Sequence, residues 1–113
     1  MTWNTSESYE YFKSSDNVSR LITWEDRRCT NEFLATLPGT RTNVAISTGF
    51  GCASLFWLRK NHPSLLERFD CAGTIMDFIV CVLCQMDKPF MSPHNAVSWG
   101  YFNVHNMMWE LEM

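Results

Sequence analysis

The segment at residues 74–85 constrains the fold most strongly, because its apolar side chains would surround almost the whole circumference of a helix. Thr74 is a suitable N-cap, and Asp77 follows three residues later, which is close to the pattern of a capping box. We therefore prefer a capping role for Asp77 over a catalytic one. A helix that is apolar on nearly all sides is expected to be buried. Its apolar residues are Ile75, Met76, Phe78, Ile79, Val80, Cys81, Val82, Leu83 and Cys84.

The composition predicts one small packed domain. The chain has 113 residues, of which 46% are hydrophobic and 19% are charged, and this balance favours a globular core over disorder. The net charge of −3 and the lack of a Lys and Arg run argue against a nucleic-acid partner. The longest apolar run, residues 78–84, is too short to cross a membrane, so we expect no membrane partner. The first residues lack the basic start and apolar middle of a signal peptide, which predicts a cytoplasmic location.

Neither the cysteines nor the histidines form a convincing metal site or disulfide framework. The five cysteines are an odd set at irregular spacing, so we expect buried free thiols. Cys81 and Cys84 form a C-x-x-C pair, but no second pair stands at zinc spacing. No histidine has a Cys, His or carboxylate partner four residues further on. The sequence therefore predicts no metal ligand, and it identifies no catalytic residue.

The boundary at residues 21–29 is a place where a site can form. Residues 21–24 are apolar, β-branched or aromatic, which suits a short strand, and the next residues are polar and charged. If the strand continues through Asp26, Trp24 and Asp26 share one face, and a flat ring beside a carboxylate can hold a polyol. The alternative is that Trp24 is a core residue and Asp26 caps the helix that follows. These residues alone favour the alternative.

Two glycines suggest a second candidate feature. Gly49 and Gly51 flank Phe50, but Ser54 stands where the third glycine of a G-x-G-x-x-G phosphate loop belongs. The glycines instead permit a tight turn into a helix, with Phe50 or the helix N-terminus close to a neighbouring group.

The remaining segments predict a mostly helical chain. We expect helices at about residues 26–37, from the glycine turn to His62, and at residues 64–69. An irregular lead-in is expected at residues 1–20, and a polar loop at residues 91–98 should lead into a strand near residues 99–102.

Four stretches agree in order and spacing with those of a known family. They are residues 23–29 (T-W-E-D-R-R-C), 48–53 with 56–58 (T-G-F-G-C-A and F-W-L), 72–77 (A-G-T-I-M-D) and 95–103 (N-A-V-S-W-G-Y-F-N). Together they resemble the N-terminal domain of the FGGY carbohydrate kinases. The likeness is specific because four separate blocks agree.

The resemblance implies the fold class and the reaction. The expected fold is α/β, an incomplete piece of a ribonuclease H-like (actin-like ATPase) N-terminal domain that is mostly helical with a few short strands. Residues 21–113 would form its substrate side, after the lead-in at residues 1–20. The implied reaction is ATP-dependent phosphorylation of a ketose, with sedoheptulose converted to its 7-phosphate.

The resemblance also identifies candidate substrate contacts. The Trp of the matching block lies by the sugar in the family, so Trp24 and Asp26 are the first candidates, and Gly49 and Phe50 follow. Two positions depart from the pattern of the most similar members. Glu25 stands where they carry Gln, and Arg27 stands where Gly is expected.

The family's catalytic parts lie outside the matched region. Its catalytic Asp is found downstream and its N-terminal phosphate loop upstream, so we expect ATP and Mg²⁺ not to bind this chain alone and the chain alone to be inactive. One alternative is a non-catalytic sugar-binding or interaction remnant of the fold. Another is a small secreted glycoprotein, suggested by two glycosylation sequons and the five cysteines.

Overall fold

The structure is a computed structural model that describes residues 1–3, 18–41 and 45–110. The chain divides into two compact units: unit 1 is Met1–Leu21 with His62–Met91, and unit 2 is Ile22–Asn61 with Ser92–Met113. Its regular elements are mostly helices with a few short strands, as the sequence predicts. They are β1 (Thr2–Trp3), α1 (Asn31–Leu34), α2 (Gly51–Asn61), α3 (Pro63–Leu66), β2 (Cys71–Ala72), α4 (Ile75–Leu83), α5 (Pro93–Val97), β3 (Phe102–Asn103) and β4 (Met108–Trp109).

Unit 1 is organised around the indole of Trp3. β1 pairs antiparallel with β2, and Trp3 lies opposite Cys71. The ring of Trp3 is fully buried and meets Phe78 of α4 edge-on, with 5.3 Å between the ring centroids. A Cβ atom at Gly73 would lie 2.7 Å from Cη2 of the indole, so only glycine leaves room for the ring here. Most of the predicted lead-in, residues 4–17, lies outside the described residues.

The start of α4 has the predicted capping box. The hydroxyl of Thr74 accepts a hydrogen bond from the backbone N–H of Asp77 at 3.2 Å, and Oδ2 of Asp77 accepts one from the backbone N–H of Thr74 at 2.8 Å. These bonds satisfy two donors that the helix itself cannot pair. The capping role of Asp77 is therefore confirmed.

The prediction that this helix is buried on nearly all sides is wrong. Only Asp77 and Cys81 are buried on α4, and Leu83 is 75% exposed. A two-stranded sheet can cover one face of a helix but not its whole circumference. The other exposed apolar residues of α4 are Ile75, Met76, Ile79 and Val80.

In the described part of the chain, no helix combines the length and hydropathy that would let it span a membrane.

Unit 2 is organised around α2, which confirms the helix predicted to follow the glycine turn. Trp99 lies against its first turn, where its carbonyl oxygen accepts a hydrogen bond from the N–H of Cys52 at 3.0 Å. A Cβ atom at Gly51 would overlap the indole of Trp99, so the small residue lets the ring lie on the helix backbone. The buried residues of α2 are Cys52, Ala53, Ser54 and Leu58.

The segment that follows Trp99 continues the packing on α2. The hydroxyl of Tyr101 donates to the carbonyl oxygen of Pro38 at 2.7 Å, and its ring meets Phe56 edge-on. β3 then pairs antiparallel with β4, and the rings of Phe102 and Trp109 lie 5.1 Å apart. The strand predicted in this part of the chain is present, although it begins later than expected.

The strand predicted at residues 21–26 is absent. The backbone turns instead, because the N–H of Asp26 donates to the carbonyl oxygen of Thr23 at 3.1 Å. Oδ1 of Asp26 also accepts a hydrogen bond from the N–H of Arg28 at 2.9 Å. A local side-chain bond of this kind competes with strand pairing. The period-2 alternation therefore does not apply to this segment.

The helix predicted at residues 26–37 is shorter than expected and is not capped by Asp26. The carboxylate of Asp26 is bound to Arg28, and the N-cap is Thr30, whose hydroxyl accepts a hydrogen bond from the N–H of Phe33 at 3.3 Å. α1 therefore begins after Thr30, and it is a single turn.

The polar loop predicted at residues 91–98 contains α5. Ser92 is its N-cap and accepts a hydrogen bond from the N–H of Asn95 at 3.3 Å, and Pro93 follows in the first turn. This order of Ser and Pro is a helix-start signal, so the prediction of a loop is wrong at residues 93–97. The helix predicted at residues 64–69 is confirmed in the shorter form of α3.

All five cysteines are described and all are free thiols. Cys29, Cys52 and Cys81 are buried as predicted, but Cys84 is exposed and Cys71 is half-buried. The prediction fails at Cys84 because it caps the partly uncovered end of α4. Burial raises the pKa of the Cys52 thiol to about 11, so this cysteine is protonated and unreactive at neutral pH.

Replacing Thr74 with Ala should lower the free energy of unfolding of unit 1 by about 1 kcal/mol, because the N-cap bond is lost. Thr30→Ala is the matched variant for comparison, since it removes the equivalent N-cap bond from the single turn of α1 in unit 2. Urea unfolding followed by circular dichroism measures both changes. Equal stability of Thr74→Ala and the unsubstituted chain would contradict the assigned role of the capping box.

Candidate functional site

Trp24 occupies the tip of the turn that replaces the predicted strand. Its side chain is 79% exposed, so the alternative that Trp24 is a core residue is wrong. Its neighbours Thr23 and Glu25 in the turn are exposed as well. A large exposed indole presents an apolar surface with a hydrogen-bond donor at its edge.

The loop that contains Thr48 and Gly49 packs against the backbone of this turn. Gly49 has φ +84°, and a Cβ atom at this position would lie 2.5 Å from the carbonyl oxygen of Trp24. The hydroxyl of Thr48 donates to the carbonyl oxygen of Asp26 at 2.7 Å. Glycine is required both by the left-handed backbone and by the close approach. The predicted tight turn at Gly49 is therefore present, and the group it approaches is the backbone of Trp24.

The carboxylate of Asp26 is held by Arg28. Oδ1 accepts from Nε at 2.8 Å and Oδ2 from Nη2 at 2.8 Å, which is a bidentate ion pair. The guanidinium in turn lies over the ring of Trp57 on α2, 5.1 Å from its centroid. The side-chain hydrogen bond from Arg28 lowers the pKa of Asp26 and outweighs partial burial, which acts in the opposite direction. Asp26 is therefore a fixed, ionised acceptor.

Phe50, the fourth predicted site residue, packs on other neighbours. It is half-buried, and its ring approaches the backbone of Gly100, beside Ile46. Its N–H donates to the carbonyl oxygen of Ser47 at 3.2 Å. Phe50 thus packs within unit 2 while its neighbour Gly49 contacts Trp24.

Three of the four predicted residues, Trp24, Asp26 and Gly49, lie at this turn, where the contact of Gly49 is with the backbone of Trp24. Arg28 and Trp57 also contribute, although neither was among the predicted site residues. An Asp side chain often accepts a hydrogen bond from the backbone two residues further on, so the contact between Asp26 and the N–H of Arg28 had a local sequence signal. The contact of Trp57 depends on tertiary packing and had no signal of its own. Among the described residues, no three His, Cys, Asp or Glu side chains form a group that could hold a metal ion.

The arrangement suits a neutral, hydroxyl-rich ligand. The indole of Trp24 offers an apolar plate, and the ion pair of Asp26 with Arg28 offers a fixed acceptor and several donors. The side chains of the pair are 22% and 29% exposed, so both are accessible to a ligand.

Comparison with known proteins gives the family. The profile of the FGGY family of carbohydrate kinases, N-terminal domain, matches residues 13–113. The chain therefore belongs to the FGGY family of carbohydrate kinases and comprises a part of its N-terminal domain. No solved structure matches the chain significantly.

Curated relatives include sedoheptulokinases and glycerol kinases. The chain is 44% identical to human (Homo sapiens) sedoheptulokinase over 97% of its length and 50% identical to the mouse (Mus musculus) enzyme over 84%. It is 26% identical to glycerol kinase of Dichelobacter nodosus over its whole length. The matched regions cover 24%, 20% and 23% of these relatives, respectively, so the chain spans about a quarter of their length.

Gly49→Ala should displace the turn that carries Trp24. The added Cβ meets the carbonyl oxygen of Trp24 in a backbone conformation that alanine disfavours, so we expect a loss of about 1–3 kcal/mol in the free energy of unfolding. Gly39→Ala is the control, because a Cβ atom there meets nothing within 4 Å. Urea unfolding and the NMR signal of the Trp24 indole N–H report the two effects. A Trp24 signal that stays in place would contradict the contact.

Arg28→Met should raise the pKa of Asp26 towards its ordinary value, because the hydrogen bonds that favour the carboxylate are lost. In the unsubstituted chain, the ion pair should stabilise the fold above the ordinary pKa of Asp and lose this effect as pH falls through the lowered pKa. Because the pair is partly exposed, it contributes about 0.2–1 kcal/mol. A carboxyl-carbon NMR titration measures the pKa, with Arg27→Met as the control. An unchanged Asp26 titration in Arg28→Met would contradict the pairing.

Proposed function

We propose that the chain is the sugar-facing part of an ATP-dependent carbohydrate kinase that phosphorylates a ketose, with sedoheptulose converted to sedoheptulose 7-phosphate. The observation that carries the proposal is the 44–50% identity to the human and mouse sedoheptulokinases. Identity to the glycerol kinases is only 26–27%. Relatives in both groups are named as kinases, which favours a kinase over a non-catalytic remnant.

Within this proposal, Trp24 packs on the C–H face of the sugar, and Asp26 accepts hydrogen bonds from its hydroxyls. Gly49 supports the turn that presents both residues. Phe50 follows Gly49 in the chain, and its ring packs near Gly100, so it is the weakest of the four candidates. The exposure of Trp24 and the fixed carboxylate of Asp26 support these roles.

The proposed domain is residues 21–113, following the lead-in at residues 1–20, with the ribonuclease H-like fold of the actin-like ATPases. ATP and Mg²⁺ are the proposed cofactors of the full-length enzymes, where Mg²⁺ would neutralise the transferring phosphate and a base would accept the hydroxyl proton. For this chain our expectation is sugar binding without ATP binding.

The proposed partner is the ketose substrate. We propose neither a nucleic-acid partner nor a membrane partner. A cytoplasmic location agrees with the five free thiols, since reducing compartments keep cysteines unpaired.

Trp24→Ala should weaken the binding of sedoheptulose about 10-fold, because the apolar plate beneath the sugar is removed. The measurement is a titration of the chain with sedoheptulose, followed by NMR chemical shifts. Phe90→Ala is the matched control, since Phe90 is an equally exposed aromatic residue of unit 1, 77% against 79% for Trp24. Unsubstituted chain that binds no sedoheptulose at millimolar sugar, or Trp24→Ala that binds it unchanged, would overturn the proposed site.

A further inference from the structure

The ion pair between Asp26 and Arg28 leaves hydrogen-bonding capacity on both partners. Oδ1 accepts from the backbone N–H and from Nε of Arg28, and Oδ2 accepts from Nη2. A carboxylate offers about four lone-pair sites and a guanidinium five N–H donors. The pair therefore retains an acceptor site on Oδ2 and a second proton on Nη2. These two atoms are 2.8 Å apart, so the remaining acceptor and donor lie side by side.

The guanidinium is held by two hydrogen bonds to Asp26 and by the ring of Trp57. One face of Arg28 lies over the indole of Trp57, 5.1 Å from the ring centroid. Trp57 belongs to α2, whose neighbouring residue Leu58 is buried in unit 2. A donor held in this way loses little conformational entropy when it binds a ligand. The arrangement exceeds what a turn needs, because the backbone bond and the Thr48 contact already close it.

We propose that Arg28 is itself a sugar-contacting residue, which acts with Asp26 as one planar unit that binds two neighbouring hydroxyls of a polyol. One hydroxyl oxygen accepts from Nη2 of Arg28, and the next hydroxyl donates to Oδ2 of Asp26. The ligand class is an uncharged sugar with adjacent hydroxyls, because each hydroxyl is both a donor and an acceptor. This inference rests on the proposed function and adds a specificity-determining residue to the same site.

The matched pair of variants is Arg28→Lys and Arg27→Lys. Lysine keeps the charge but cannot make the planar fork, so Arg28→Lys should weaken sedoheptulose binding about 10-fold. Arg27 is exposed one residue earlier, and Arg27→Lys should bind within about two-fold of the unsubstituted chain. The titration is followed by NMR, with the Trp24 indole N–H signal of the sugar-free protein as a report on the turn.

A 10-fold loss in Arg28→Lys, with the sugar-free Trp24 signal unchanged, supports a direct contact. Equal affinity of the two Lys variants overturns the inference but leaves the proposed function intact, provided that Trp24→Ala still weakens binding. If Arg28→Lys moves the sugar-free signal, Trp57→Leu decides, because it removes the ring beneath the guanidinium and spares the ion pair. A several-fold loss in Trp57→Leu then supports the inference, and unchanged affinity overturns it. No sedoheptulose binding by the unsubstituted chain overturns both proposals.

Discussion

The candidate site depends on the bidentate ion pair between Asp26 and Arg28. This pair keeps the carboxylate ionised and joins the turn to α2 through the ring of Trp57. An exposed ion pair contributes little to stability, so its importance here is geometric. Gly49 approaches the backbone of Trp24, so the turn that carries this exposed residue is also anchored at its backbone.

The longest helices of the two units, α2 and α4, differ in how far other residues cover them. In unit 2, α2 is covered by the segment around Trp99 and by Tyr101, which is buried. In unit 1, α4 is anchored at one face by Trp3 and Phe78, while several of its apolar residues are exposed. Apolar side chains that are exposed along a helix lose the hydrophobic contribution of burial. Most of the burial in unit 1 therefore comes from Trp3 and its neighbours.

Local signals predicted much of the fold. The capping box at Thr74 and Asp77 and the helix after Gly49 could be predicted because they depend on neighbours within one turn. The absence of a strand at Trp24 could not be predicted, because a short apolar pattern does not reveal whether a partner strand exists, and the Asp26 side chain favours a turn. At the site, the residue types were recognisable, whereas the contact of Arg28 with Trp57 depends on how the turn meets α2.

The chain belongs to the FGGY family of carbohydrate kinases, and our proposal is that the turn around Trp24 contacts the sugar. The most direct measurement is of intermolecular nuclear Overhauser effects between bound sedoheptulose and the aromatic protons of the chain. Our account predicts contacts between the sugar C–H protons and the indole of Trp24. Contacts confined to other aromatic residues, such as Phe90 or Trp109, would contradict it.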